Sequence, residues 1–493
     1  MKVLRLLRTL RHLKGVQFYY RIKLILRAKL KVAPKSVSLD SSKAEPLAFS
    51  SYPDTSSLVT FRNRTFSSLN VQVSFQNKEI DWNYSDHGKL WTYNLNYFEF
   101  LHDPALALAE KKDLIKSYLD ADPLLKDGLE PYPISLRLIN WIRFLSHHKI
   151  SDARINQRIA EHTSVLLGKL EYHLLANHLL ENAFAVFMSG MYLKSPATIE
   201  IGEDLIRTQL KEQITVDGAH YERSVMYHKI ILYRVLEASD VLHNHQPESK
   251  LFKILEETAT QMMGWLLAMN FENGKSPRFN DYAEGIALSS GFLQEYYSKV
   301  FPSQVPAEKQ ALSASGYRKF TLYEMEVIAN FGEISPKYQP GHAHADTFSF
   351  EMNYQNREFI VDPGVSTYDS NALRGVERST LLHNTVHVED KDSNEVWGGF
   401  RVGRMAKVQI HKDQEDTLVA SHNGFRKEGV VHERQLSLED QTLRIRDIVK
   451  NPKGKKILSR IHFHPDWKVS SLENFSFTVS NELMIETKGV LKS

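Results

Sequence analysis

The feature that most constrains this chain is a change in the period of its apolar residues near position 315. Upstream, segments such as SLRLINWIRFLSHH (135–148), RIAEHTSVLLGKLEYHLL (158–175) and LFKILEETATQMMGWLLAMN (251–270) place apolar residues three and four apart. That is the spacing of one helix face. Turn signals such as VDGAH (216–220) and ENGKSP (272–277) separate them. Downstream, KFTLYEMEVIANF (319–331), TFSFEMNYQNREFIVDPG (347–364), NTVHVED (384–390) and QTLRIRDIVK (441–450) alternate apolar and polar residues, as half-buried antiparallel strands do. Many helices in series without a strict repeat predict an (α/α) toroid of antiparallel helices, followed by an antiparallel β-sandwich. The fold class is α+β multidomain. The divisions are a basic amphipathic segment at 1–32, a linker with short extended runs such as VQVSF (71–75) at 33–88, the toroid at 89–315 and the sandwich at 316–493.

A chain of 493 residues is long enough for two or three domains and a large core. It has no cysteine, which excludes disulfides and thiolate metal sites, so any metal must sit on His, Asp or Glu. The net charge of +3 carries no whole-molecule bias toward nucleic acid. Basic charge is instead concentrated at the start: residues 1–31 hold ten Lys or Arg, and the first acidic residue is Asp40. Charges interrupt the apolar residues there every two or three positions, which fits neither a signal peptide nor a transmembrane span. The readings are a basic amphipathic helix on an anionic membrane surface, or a solvated helix packed on the body. Both favour a cytoplasmic location, peripheral to the inner membrane in the first case, with a periplasmic location as the alternative.

Four clusters carry chemistry. In ANHLLENA (176–183), Asn177, His178 and Glu181 bring polar groups to one side of an otherwise apolar helix; they are either a satisfied buried set or a ligand site. In DGAHYERSVMYH (217–228), Asp217-Gly218 makes a turn opening the next helix, with Glu222, Tyr227 and His228 in its first turns. A tyrosine whose pKa is lowered by a nearby cation is a general acid or base. In GHAHAD (341–346), His342 and His344 stand two apart, so in extended chain both rings point to one side. The stretch from VDPG (361–364) to RSTLLHNTVHV (378–388) adds Asp362 and His383. With His344 these make a plausible zinc set of two imidazoles and a carboxylate.

Read together, NHLLEN, DGxxYERSxxYH, GHAHADTFSFE, VDPGVSTY and RSTLLHNTV resemble the ordered signature of the heparinase II/III family of polysaccharide lyases, over roughly residues 80–410. KLWTYNLNYFEFL (89–101) and YPISLRLINWIRFL (132–145) resemble that family's first toroid helices. They offer Trp91, Tyr93, Asn96, Arg137 and Trp141 as substrate-groove residues or as helix packing. The resemblance implies β-elimination on an acidic, uronate-containing polysaccharide. Asn177 and His178 would face the uronate carboxylate, with Glu181 as support. Tyr227, with Tyr221 as its competitor, and His342 would be the acid–base pair. Glu222 and Arg378 would lie behind them. It also implies zinc on His344, Asp362 and His383 as a structural prop, and no organic cofactor. Elimination needs the uronate charge neutralised before the C5 proton can leave. A glycoside hydrolase would want two opposed carboxylates, for which Glu181, Glu222 and Asp281 are the carboxylates left open, and no such pair stands out. That class, and a non-catalytic glycan-binding or assembly protein, are the alternatives. Degradative relatives are exported, and the basic first segment resembles that of members linked to surface-polysaccharide synthesis.

Overall fold

The computed structural model describes residues 2–31, 37–76, 78–307, 311–439, 442–471, 476–479 and 483–486. Residues 33–36 of the expected linker and 487–493 of the expected sandwich lie outside them. The first segment forms two helices rather than one, α1 (Lys2–Leu10) and α2 (Gly15–Lys29). A three-stranded meander follows, β1 (Thr60–Arg62), β2 (Thr65–Ser68) and β3 (Val71–Ser74). The residues before it are not the loose extension their Ser and Pro content predicts. Leu47, Thr55 and Val59 are buried, and Ser50 holds Asp240 through its backbone N–H at 2.7 Å and its hydroxyl at 2.6 Å.

The helical body runs through α3 (Lys89–Tyr97), α4 (Leu108–Ala121), α5 (Pro131–His147), α6 (Ala153–Gly168), α7 (Ala176–Tyr192), α8 (Pro196–Gln213), α9 (Val225–His245), α10 (Lys250–Met269) and α11 (Ser290–Val300). Helix α7 is apolar beyond its first two turns and almost wholly buried, as a helix enclosed by others must be. It packs closely on α8 through two glycines. A Cβ on Gly202 would come within 2.6 Å of the Phe187 backbone, and one on Gly190 within 2.8 Å of the Ile199 amide. The core is continuous from Phe61 and Phe66 of the meander through Trp141, Phe184 and Trp265.

Beyond it the two-residue period yields antiparallel sheets. One is β4 (Tyr317–Leu322), β5 (Met325–Asn330), β6 (Phe350–Tyr354) and β7 (Arg357–Ile360), in that order. After a short helix, α12 (Ala372–Glu377), come β8 (Val386–Val388), β9 (Val396–Trp397) and β10 (Arg401–Val402). The second four-stranded sheet is β11 (Val408–Asp413), β12 (Thr417–His422), β13 (Val431–Glu439) and β14 (Thr442–Lys450). Phe320, Val327, Phe350 and Phe359 of the first sheet share one core with Leu418, Ala420 and Leu436 of the second. Alternate residues of each strand meet across that core, which is why the pattern was visible in sequence. The molecule is therefore α+β, helical first and β-rich after.

Candidate active site

The site forms where the α10–α11 connection meets the first sheet. Asn280 sits at φ 60°, its side chain accepting the His344 N–H at 3.1 Å and donating to the Arg223 carbonyl at 2.8 Å. The Asp281 N–H donates to the His342 carbonyl at 3.0 Å. These bonds fix the Asp281 carboxylate at the centre of a buried cluster. Asp281 accepts from His342 Nδ1 at 2.8 Å, from His344 Nε2 at 2.9 Å, and from both terminal nitrogens of Arg374 at 2.6 Å each. Burial alone would raise its pKa. The two imidazole hydrogen bonds and the Arg374 charge outweigh that and hold it well below the usual carboxylate range.

An ionised Asp281 keeps the proton of His342 on Nδ1, leaving the Nε2 lone pair free. Segment 341–346 is a loop just upstream of β6. Its two histidines do face one way, both onto Asp281. The Tyr227 ring lies against His342, centroids 3.9 Å apart and planes 33° apart. Helix α9 begins at Val225 and not at the Asp217-Gly218 turn, because Ser224 caps it by accepting the Tyr227 N–H and Arg223 leaves helical geometry at φ 56°. Tyr227 is thus in the first turn, while Glu222 lies in the turn before it. Tyr368 lies beside the Tyr227 phenol, its own hydroxyl directed at Met226 Sδ at 4.0 Å. The pKa of Tyr227 is raised well above the usual tyrosine value, first by burial and then by Tyr368, Asp281 and Glu222. The lowered value that the sequence invited is not what this pocket produces: burial dominates, and the Arg374 guanidinium is spent on Asp281.

Helix α7 supplies the other wall. Leu175 and Ala176 enter it at φ 62° and 53°, a strained entry for side-chain-bearing residues. Gln213 steadies it by donating to the Ala176 carbonyl at 2.9 Å. Asn177 is buried and its Oδ1 has no partner, and its backbone lies beside Glu222. Glu222 is buried, its Oε2 unpartnered and 4.0 Å from His342 Nε2; burial, above all, raises its pKa. His178 is half-exposed beside the Tyr132 ring at 4.7 Å, with Nδ1 3.3 Å from Glu171. Desolvation pulls its pKa down, but Glu171, Glu222 and Glu181 together raise it above the ordinary imidazole value. The unpartnered Asn177 Oδ1 and the His178 imidazole both belong to this wall. Glu181 is fully buried and pairs with Arg234 at 3.0 Å, in a network that continues through Glu237 to Arg143. It supports this wall without reaching the cleft.

The remaining candidates are placed elsewhere. Asn96, Arg137 and Trp141 are buried in helix packing, not in a groove. Asn96 donates to the Trp82 and Thr92 carbonyls at 2.9 Å. Arg137 binds the Asn96 and Gly128 carbonyls at 3.0 Å, and Trp141 packs edge-on against Phe98 and Tyr118. Trp91 is buried against Phe66 and Tyr84, at the edge of a cavity of about 560 Å³ that Tyr368 also lines. Tyr93 is half-buried beside Lys89. Arg378 is buried, donating to the Ala343, Gly398 and Gly399 carbonyls, so it holds the His342 loop in place. Tyr221 bonds Tyr338 at 2.7 Å and takes no part in the His342 pair. His228 is buried on the Met262 carbonyl, and burial lowers its pKa to about 3. Sequence reading missed Arg374, Tyr368, Tyr132 and Glu171. The first two lie in the VDPGVSTY stretch and just after it, which was legible as a motif without roles for these side chains.

His344, Asp362 and His383 are fully buried neighbours, with the two imidazole centroids 5.3 Å apart. His344 Nδ1 and His383 Nε2 have no partner, which suits two metal donors. Asp362 instead accepts from His383 Nδ1 at 2.7 Å. Among the described residues no three such side chains are gathered to hold a metal, so Asp362 would have to give up that bond to serve as a third donor.

Residues 134–307 match the family model for the heparinase II/III N-terminus and residues 304–488 that for the heparinase II/III-like C-terminal part. A heparin-sulfate lyase of Pedobacter heparinus is 23% identical over 235 residues. The alignment spans 43% of this chain and about a third (35%) of that relative's length. Among solved structures, a heparinase III crystal structure aligns at a TM-score of 0.61 and 16% identity, covering 85% of this chain and 74% of that one. A second heparinase III gene product aligns at 0.60 and 17% identity, covering 81% and 71%. These share the arrangement of helical body and β-rich region. With both family models spanning the clusters around Tyr227, His342 and Asp281, the chain belongs to the heparinase II/III-like family.

Proposed function

We propose that this protein is a polysaccharide lyase that cleaves a uronate-containing, acidic glycan by β-elimination. The observation that carries the reading is His342: one ring nitrogen is tied to an ionised Asp281, the other is free, and a protonated tyrosine is stacked against it. In this reading the His178 imidazolium and the Asn177 side chain receive the uronate carboxylate. They draw its charge away so that the C5 carbanion can spread into it. Glu222, whose pKa burial raises, lies beside His342. His342 Nε2 takes the C5 proton. The electron pair moves into a C4–C5 double bond as the C4–O bond breaks, and Tyr227 gives its proton to the departing oxygen. Tyr368 lies beside the Tyr227 phenol on the same wall. Asp281 keeps His342 in one tautomer, as a carboxylate partner does in acid–base sites generally.

Zinc on His344 and His383, with Asp362 displaced toward it, is proposed as a prop for the 341–346 loop. It would neutralise two orphaned nitrogens and take no part in the proton transfers. Glycoside hydrolysis is the weaker reading here. Asp281 is locked by four bonds, Glu181 is held by Arg234, and Glu222 is left without an opposed carboxylate. Mass spectrometry of the products separates the two: elimination yields a new non-reducing end lighter by one water than hydrolysis does. Only full-weight hydrolysis products would overturn the lyase reading.

A further inference from the structure

The two N-terminal helices invert the usual logic of a surface helix, which turns its apolar stripe to the core. Here the polar residues face the body. In α1, Arg8 binds Glu395 through Nε at 2.8 Å and a terminal nitrogen at 2.5 Å. Thr9 donates to the Val402 carbonyl at 3.0 Å and accepts from Trp397 at 3.0 Å. His12 bonds the Gly403 carbonyl at 2.8 Å. In α2, Gln17 is fully buried and donates to the Leu174 carbonyl at 3.2 Å, and Tyr20 stacks on Tyr172 at 4.6 Å.

The face left outward is apolar. Val3, Leu4 and Leu7 of α1, with Tyr19, Ile22, Ile25 and Leu26 of α2 and Leu30 just after it, are each more than half exposed. On α2 the outward positions 18, 22, 25 and 26 form one stripe, while Gln17, Tyr20 and Arg21 lie on the other side. An apolar patch of this extent on a folded chain marks a contact surface. What surrounds it identifies the contact. Residues 1–39 contain no acid and eleven Lys or Arg, of which Arg11, Lys29 and Lys31 are exposed. No helix among the described residues is long and apolar enough to cross a membrane.

We propose that α1 and α2 form a docking face for an anionic lipid surface, lying in the interface with their apolar side chains among the acyl chains and their cations on the headgroups. Apolar burial and cationic attraction are the two terms that hold in-plane helices at such surfaces. The docking is rigid with respect to the cleft. Helix α1 grips the β9–β10 hairpin, whose Phe400 ring lies 6.1 Å from His342, and α2 grips the turn that leads into Asn177. A membrane seated on this face therefore borders the rim of the candidate active site. The inference does not depend on which reaction that site performs.

The test is co-flotation of the full-length protein with phosphatidylcholine vesicles, with and without phosphatidylglycerol, at rising salt. The wild type is expected to float with the anionic vesicles and to be released progressively by salt. The I22E/I25E double variant is expected to bind about a hundredfold more weakly, each buried aliphatic side chain being worth roughly tenfold. Its unfolding temperature and near-ultraviolet circular dichroism are expected to match the wild type. R11Q/K29Q is expected to lose the preference for anionic lipid. A wild type that stays unbound with anionic vesicles overturns the proposal, as does an I22E/I25E variant that floats equally well. Light scattering that shows a wild-type dimer, reverted to monomer by I22E/I25E, overturns it in favour of a second copy as the occupant.

Discussion

Asp281→Asn is the substitution through which the account is most exposed. The carboxylate accepts four charge-assisted bonds, and the groups that donate them are buried. Asparagine offers one acceptor oxygen and turns an N–H₂ toward a donor. At least two of those bonds are lost, and the Arg374 guanidinium is left buried without its counter-charge. Removing one partner of a buried pair costs roughly 3–5 kcal/mol. With a urea slope of roughly 3 kcal/mol/M, the unfolding midpoint falls by about 1 M or more. The pH dependence has a definite sign. The folded pKa of Asp281 is depressed, so its stabilisation is fully present above the unfolded carboxylate value of about 3.9 and is lost as pH falls below that. The wild-type advantage over Asp281→Asn is therefore large at neutral pH and shrinks in acid. Activity is expected to fall on the order of 10²–10⁴-fold, because the proton of His342 is no longer held on Nδ1. Urea unfolding followed by tryptophan fluorescence at several pH values, with turnover measured beside it, checks both. A variant as stable and as active as wild type at neutral pH refutes the reasoning.

Three further outcomes follow from the same geometry. His178→Gln should weaken binding of an acidic glycan, and the wild-type affinity should decline as pH rises through the elevated His178 pKa, where the imidazolium loses its charge; titration calorimetry across pH checks it, and a variant with the same pH profile contradicts it. Trp141→Ala should destabilise by about 3–5 kcal/mol through a core cavity yet leave KM unchanged at a temperature where the variant is folded, since Trp141 is buried between Phe98 and Tyr118; a raised KM would return it to a substrate groove. Elemental analysis of protein purified without chelator should find about one zinc per chain if His344 and His383 are donors, and His383→Ala should lose it; an absence of zinc from wild type removes the proposed prop.

The change of period at 315 was legible because each residue reports its own burial, and a helix or strand face needs only local spacing. So were Asn177, His178, Tyr227 and His342, which sit in ordered short motifs. Asp281 was seen only as one carboxylate among three. Its partners are 61, 63 and 93 residues away in sequence, and no local pattern encodes that distance. Of the residues offered as groove or helix packing, Arg137 and Asn96 donate to backbone carbonyls at 3.0 and 2.9 Å, a packing role that spacing cannot show. In the basic N-terminus, which face points outward depends on Glu395 and Leu174, far along the chain.

The most direct test of the central claim is ultraviolet absorbance during incubation with a panel of uronate-containing polysaccharides, wild type beside Tyr227→Phe and His342→Ala. The account predicts rising absorbance from a 4,5-unsaturated uronate with at least one polysaccharide, reduced by on the order of 10²–10⁴ in each variant. Reducing ends released without any rise in absorbance, or a rise that survives in both variants, would contradict it.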